Sequence, residues 1–188
     1  MVSFPQHTPD TAPDASQPLL QASRAAWGFV PTLHATLAES PVALAAYISL
    51  FDLIAKSTLT EKERQIAFLS VSVFHDCEYC VAGHTFLARK AGLGEATLQA
   101  IRSRTTVGDA REQALRTFCE SVVRERGRVG DAAVEAFLAA GYSKCNVLEV
   151  VTIVATKVIS NYTNHLAHTP QESFMAEPSL HWVAKKAA

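Results

Sequence analysis

Glycine and proline are scarce in this chain, eight of each in 188 residues, and five of the prolines precede position 32. With alanine and leucine dominating the remainder, that scarcity favours helices over strands, and the expected class is all-α. Charge of one sign is also missing. The formal net charge is -1, with acids and bases interspersed, so no basic face for nucleic acid or anionic lipid is expected. No apolar run reaches the roughly 18 residues of a membrane span, and the opening MVSFPQHTPDTAPDASQP lacks the basic and apolar regions of a secretory signal. The expectation is a cytoplasmic protein without a membrane partner. Four cysteines with one close pair do not make a secreted disulfide framework in a chain of this size. The length suits one packed core, so a single helical domain over 18–188 is expected, after an extended, polar lead-in over 1–17.

Helix punctuation is clear along the rest of the chain. A short helix over Leu19 to Trp27 should be broken by Gly28, and Pro31 should restart a turn through Leu33 and Leu37. Pro41 opens the next helix, through Leu44, Tyr47, Ile48, Phe51 and Ile54. Thr60-Glu-Lys-Glu63 reads as a capping box ahead of Ile66, Leu69 and Val73. Asp76 is the expected N-cap of a helix ending near Gly92. Further helices are expected near Glu95 to Arg102, after Asp109, around Phe137, and from Ser143 to about His165.

The chemistry concentrates in Cys77-Glu-Tyr-Cys80-Val-Ala-Gly-His84. On a helix, positions three and four apart are neighbours, so Cys80 and His84 are expected to touch. Two thiols and an imidazole supply a thiolate, a proton carrier and a resolving sulfur. The helix N-terminus favours Cys77 as the thiolate, whereas a base at i+4 favours Cys80, and these two arguments leave the thiols unranked. Zinc would need ligands beyond this motif, and no second CxxC or HxxxH exists. Haem attachment would need a histidine where Val81 stands. No metal and no cofactor is therefore expected. Inert core cysteines are the bland alternative, and Cys119 and Cys145 are read that way. Trp27, Phe51, Phe68, Phe74, Phe86 and Phe118 are read as core because they follow helical spacing. Glu149, set among valines and a leucine, and Asn161 and His165 near the end of the last long helix, are candidate pocket residues. Each also has a structural reading, as a solvated or subunit-facing carboxylate or as helix-end residues.

From Leu59 to Gly92, LTEKERQIAFLSVSVFHDCEYCVAGHTFLARKAG resembles the core motif of the alkylhydroperoxidase D and carboxymuconolactone decarboxylase-like superfamily. WGFVPTLHATLAESP before it and VISNYTNHLAHTP after it resemble the longer peroxidase-related members. The resemblance implies an all-helical bundle assembling as a dimer, trimer or hexamer, and a thiol peroxidase activity. By motif position it makes Cys80 the peroxide-reactive thiol, Cys77 its disulfide partner and His84 part of a proton relay. The family's relay glutamate falls at Gln65, and an amide takes up no proton at neutral pH. Glu63, two residues away, lies on another helix face and is claimed by the cap.

The leading expectation is thus a peroxidase whose Cys80 is oxidised by a hydroperoxide and condenses with Cys77. An external dithiol, a lipoyl group or a thioredoxin-like protein, would reduce the disulfide, so exposure of Cys77 is expected. A non-enzymatic redox sensor that switches oligomeric state, and a decarboxylase-like enzyme that does not use its thiols, are the alternatives.

Overall fold

The computed structural model describes residues 2–184, and the secondary structure there is helical throughout. The helices are α1 (Gln17–Trp27), α2 (Thr32–Leu37), α3 (Pro41–Ile54), α4 (Glu61–Phe74), α5 (Glu78–Lys90), α6 (Glu95–Ser103), α7 (Ala110–Arg124), α8 (Asp131–Ala139) and α9 (Lys144–Ala167). A single 3-10 turn, Ser173–Ala176, follows. The all-α, single-domain expectation holds.

Helix α4 runs through the centre of the bundle because it is apolar on every side: all residues from Gln65 to Val73 are buried. It packs against α5, α7 and α9. Its start is the expected capping box, with the Thr60 amide donating to Glu63 at 2.8 Å and the Glu63 amide donating to the Thr60 hydroxyl. Glu63 also receives the Arg111 guanidinium at 2.9 Å, so it is fully engaged as a structural cap. Burial favours its acid form, but the Thr60 and Arg111 hydrogen bonds prevail and hold its carboxyl below the ordinary range.

Two apolar clusters result. One gathers α4, α6, α7, α8 and the first half of α9 around Leu69, Leu115, Phe118, Phe137 and Ile153. Phe137 sits in a stack between Phe118 and Tyr142, with ring centroids 4.3 Å apart on both sides. The other gathers α1, α2, α3 and the start of α5 around Leu20, Leu33, Leu44 and Tyr47, and it contains Cys77 and Cys80. Burying these side chains supplies most of the folding drive, at about 25 cal/mol per Å² of apolar surface.

Several local expectations need correction. Asp76 is not the N-cap of α5. It takes a left-handed conformation, φ 57°, and pairs with Arg104, while Cys77 itself caps the helix. The reason is the tightness of the α4–α5 turn: the Cys77 amide bonds back to the Ser72 carbonyl at 3.1 Å, which forces the residue before it out of ordinary conformations. Asp109 caps α7 as expected, but Glu112 does not reciprocate and instead accepts from Thr97 at 2.6 Å. The lead-in is irregular yet docked: the His7 amide donates to the Ala35 carbonyl, and Ser16, wholly buried, donates to the Ala38 carbonyl at 2.7 Å.

After α9, residues 169–184 form a strap that returns across α5. Arg102 holds its carbonyls at Leu180 and His181, and the Trp182 indole donates back to the Arg102 carbonyl at 2.9 Å. The Ala184 amide reaches Glu78 at the start of α5. Among the described residues no single helix is long and apolar enough to cross a membrane.

Candidate active site

Cys80 lies one turn into α5 and Cys77 at its cap, so the helix start brings both sulfurs to one place. Both are buried, 1% exposed for Cys77 and 4% for Cys80, and both are reduced. The expected exposure of Cys77 is therefore wrong: its position as a cap tucks it beneath α9. There the Asn164 amide donates to Cys80 at 3.2 Å and to Cys77 at 3.6 Å.

The two thiols are distinguished by their surroundings. Burial opposes ionisation of Cys80, but a hydrogen bond from the Cys77 thiol, the Lys157 charge and the Asn164 amide overcome it and drive its pKa down. Cys77 is driven up, first by its bond to Cys80 and then by burial. The pair thus shares one proton, held on Cys77, and Cys80 is the thiolate. The charge and the amide that favour this thiolate differ from the imidazole argument.

His84 is in the site, yet it makes no hydrogen bond to Cys80. Its Nδ1 meets Gln65 Oε1 at 3.0 Å, and its ring stacks on Phe68 at 4.8 Å between centroids. Burial, and then the Lys157 charge, push its pKa well down, so the imidazole is neutral. With Oε1 as the partner, Nδ1 carries the hydrogen and Nε2 keeps its lone pair. Gln65, 7% exposed, orients His84 without being able to accept its proton.

Of the remaining candidates, Asn161 is fully buried in the site, and neither polar atom of its side-chain amide has a hydrogen-bond partner. His165, one turn beyond Asn161, is exposed at the edge of that face of α9 and does not enter the site. Glu149 is also elsewhere. Its carboxylate ties α9 to the loop before α4, accepting from the Thr58 amide at 2.6 Å, from the Thr58 hydroxyl and from Asn146. Cys119 is buried in the larger core, whereas Cys145 is exposed rather than a core residue.

Sequence reasoning missed Lys157, Ser160 and Asn164, which with Asn161 form one polar stripe on α9 at spacings i, i+3, i+4 and i+7. All four are buried, between 0% and 6% exposed. A polar stripe at helical spacing on an otherwise apolar helix was the available signal.

Above the sulfurs lies a cavity of about 510 Å³, with Cys80, His84 and Lys157 in its wall. Its sides include Trp27, Phe29, Phe51, Phe86 and Phe174. The assignment of Trp27 and Phe86 to the core is thereby corrected, since both are more than two-fifths exposed where they border this cavity, whereas Phe51 packs against both apolar clusters as well as lining it. The strap closes one side. Glu172 accepts from the Thr32 amide at 2.6 Å and from the Tyr79 hydroxyl at 2.9 Å, and Phe174 meets Phe29 and Phe86. No cluster of metal-ligating side chains occurs among the described residues.

An all-helical bundle with a CxxC helix start facing a buried amide stripe defines a thiol-bearing site. Residues 41–121, which hold both cysteines, His84 and Gln65, match the model of the carboxymuconolactone decarboxylase family. The fold is similar to that of an uncharacterized peroxidase-related protein from Ralstonia eutropha JMP134, described as an alkylhydroperoxidase AhpD core. The TM-score is 0.82 and the identity 20%, over 95% of this chain and 96% of that one. A peroxidase-related protein from Silicibacter sp. TM1040 is similar at TM-score 0.76 and 18% identity, over 95% and 94% of the two chains. The debrominase Bmp8, as its C82A variant with 2,3,4-tribromopyrrole, is similar at TM-score 0.70 and 18% identity, over 92% of each chain. At these identities the likeness is one of fold. No curated protein matches the sequence.

Proposed function

We propose that this protein is a thiol-dependent peroxidase acting on organic hydroperoxides. The observation that carries the reading is Cys80, an amide-stabilised thiolate at the wall of an aromatic cavity with a protonated second thiol beside it. The Cys80 sulfur attacks the distal peroxide oxygen, the O–O bond breaks, and an alcohol leaves. Cys77 then condenses with the sulfenic acid, releasing water and forming the disulfide. The apolar walls and the volume suit a bulky hydroperoxide better than hydrogen peroxide.

Because Cys77 is buried and Cys80 faces the cavity, reduction proceeds by attack on the Cys80 sulfur through the cavity. A slender dithiol arm such as a lipoyl group fits that route better than the flat face of a thioredoxin-like protein. The exposed apolar side chains Leu148, Val151 and Leu166 on α9, with Val42 and Leu53 on α3, support a homo-oligomer.

The test is consumption of cumene hydroperoxide in the presence of a lipoyl dithiol. Sustained turnover by the wild type and its loss in Cys80→Ser support the reading. A single oxidation without turnover indicates a redox sensor instead, and turnover unchanged in Cys80→Ser overturns both. A second reading is favoured by the aromatic walls: reductive removal of halide from an aryl ring, with the bromine passing to Cys80 and then displaced by Cys77. Bromide release from a brominated pyrrole, measured in the same assay, separates the two.

A further inference from the structure

Lys157 is 1% exposed, and its ammonium makes no hydrogen bond. Among the described residues no carboxylate lies within ion-pair distance of it. An isolated buried cation is expensive unless something compensates it. Its position on α9 puts it in the wall of the cavity that Cys80 and His84 also line. The groups facing it are the Cys80 and Cys77 sulfurs and the His84 imidazole on α5 and its cap, and the His75 imidazole at the end of α4. Of these only the Cys80 thiolate carries a compensating negative charge.

Among the buried groups of the cavity wall no other is a ready acid. His34 and His84 are held neutral, the first with a pKa pushed by burial down to about 4. The Tyr47 and Tyr79 hydroxyls are pushed up by burial, so both are poor donors of a proton. Glu172 accepts two hydrogen bonds, and Lys90 and Glu177 stand at the cavity's solvent-exposed rim. Gln65 transfers no proton.

We infer that Lys157 is the counter-ion of the Cys80 thiolate and the acid that protonates the group its attack expels, in place of a carboxylate relay. The proton-donor role rests on the peroxidase reading; the counter-ion role does not. In the step, the S–O bond forms as the O–O bond breaks, and the departing alkoxide takes a proton from Lys157 Nζ. Products are the Cys80 sulfenic acid, an alcohol and a neutral amine. Cys77 condenses with the sulfenic acid, its own proton leaving in the water formed. When the external dithiol reduces the disulfide, the new Cys80 thiol returns a proton to Nζ, and the thiolate and ammonium are restored. The buried site is electrically neutral at every stage, which is why a lone lysine is tolerated there.

The experiment compares wild type, Lys157→Met and Lys157→Arg, with folding checked by helical circular dichroism. The first readout is the pH midpoint for alkylation of Cys80 by iodoacetamide, resolved by peptide mass spectrometry, which needs no peroxide. The second is the single-turnover rate of Cys80 oxidation by cumene hydroperoxide. Lys157→Met is expected to raise the alkylation midpoint by about two pH units, the scale of a nearby opposite charge. Lys157→Arg retains the charge but cannot give up its proton, so the midpoint stays near the wild-type value while the oxidation rate falls about 100-fold. An unmoved midpoint in Lys157→Met overturns the counter-ion role, and an undiminished rate in Lys157→Arg overturns the donor role. If the wild type itself leaves the peroxide untouched, the peroxidase reading and the donor role fall together, and the alkylation midpoint still decides the counter-ion.

Discussion

The side-chain amide of Asn164 lies 3.2 Å from the sulfur of Cys80 and 3.6 Å from that of Cys77, bridging two helices that are far apart in sequence. One donor serving both sulfurs favours charge on either, and the asymmetry arises because the Cys77 proton points at Cys80. Asn164→Leu, close in shape and lacking the donor, removes a hydrogen bond to a charged group worth about 1.5–3 kcal/mol. The alkylation midpoint of Cys80 should rise by one to two pH units, about 1.4 kcal/mol each. A midpoint within experimental error of wild type would show that the amide does not stabilise the thiolate.

Gln65 holds the Nδ1 hydrogen of His84, so His84 is oriented but has no acid behind it. Gln65→Glu introduces a carboxylate that can accept that hydrogen as a proton, and turnover with organic hydroperoxide should rise at least about tenfold at neutral pH. The pH–rate profile should gain an acid-side inflection where the new carboxylate protonates. A profile identical in shape to the wild type's would place His84 outside the proton path.

Glu172 fastens the strap by accepting from the Thr32 amide and the Tyr79 hydroxyl. Glu172→Ala leaves both donors without their acceptor, at a cost of about 1–3 kcal/mol, and loosens one side of the cavity. Alkylation of Cys80 by a bulky maleimide should accelerate several-fold while the rate with small iodoacetamide changes little. Equal acceleration of both reagents would indicate general loosening instead of a local opening.

His34 hydrogen-bonds Ser23 at 2.7 Å beneath α1, and burial lowers its pKa from 6.5 to about 4. The unfolded chain therefore binds this proton first as pH falls, and the native state loses stability from about pH 6.5 downward, until His34 itself protonates near pH 4. Between pH 7 and 5 the loss attributable to this residue should be about 2 kcal/mol by urea denaturation. His34→Gln should flatten that part of the slope; an unchanged slope would assign it to other groups.

The amino-acid sequence by itself determined the helices and the redox octapeptide. Capping at Thr60 and Asp109, the glycine after Trp27, the proline at position 41 and the apolar run of α4 are local signals, and local backbone geometry obeys them. The CxxCxxxH spacing likewise set Cys77 and Cys80 at one helix start and His84 one turn on. Tertiary structure alone decided what surrounds them. Whether Cys77 or Cys80 ionises depends on Lys157 and Asn164, roughly 80 residues away along the chain, and burial strengthens charges and amides whose identities are ordinary in sequence. The same holds for Glu149, Cys145 and His165, whose surroundings follow from which face of α9 meets the bundle. Periodicity marks a helix without saying which neighbour each face will find. Trp27 and Phe86 have the spacing of core residues, yet they line a cavity because the strap closes over the bundle without filling the space beneath it.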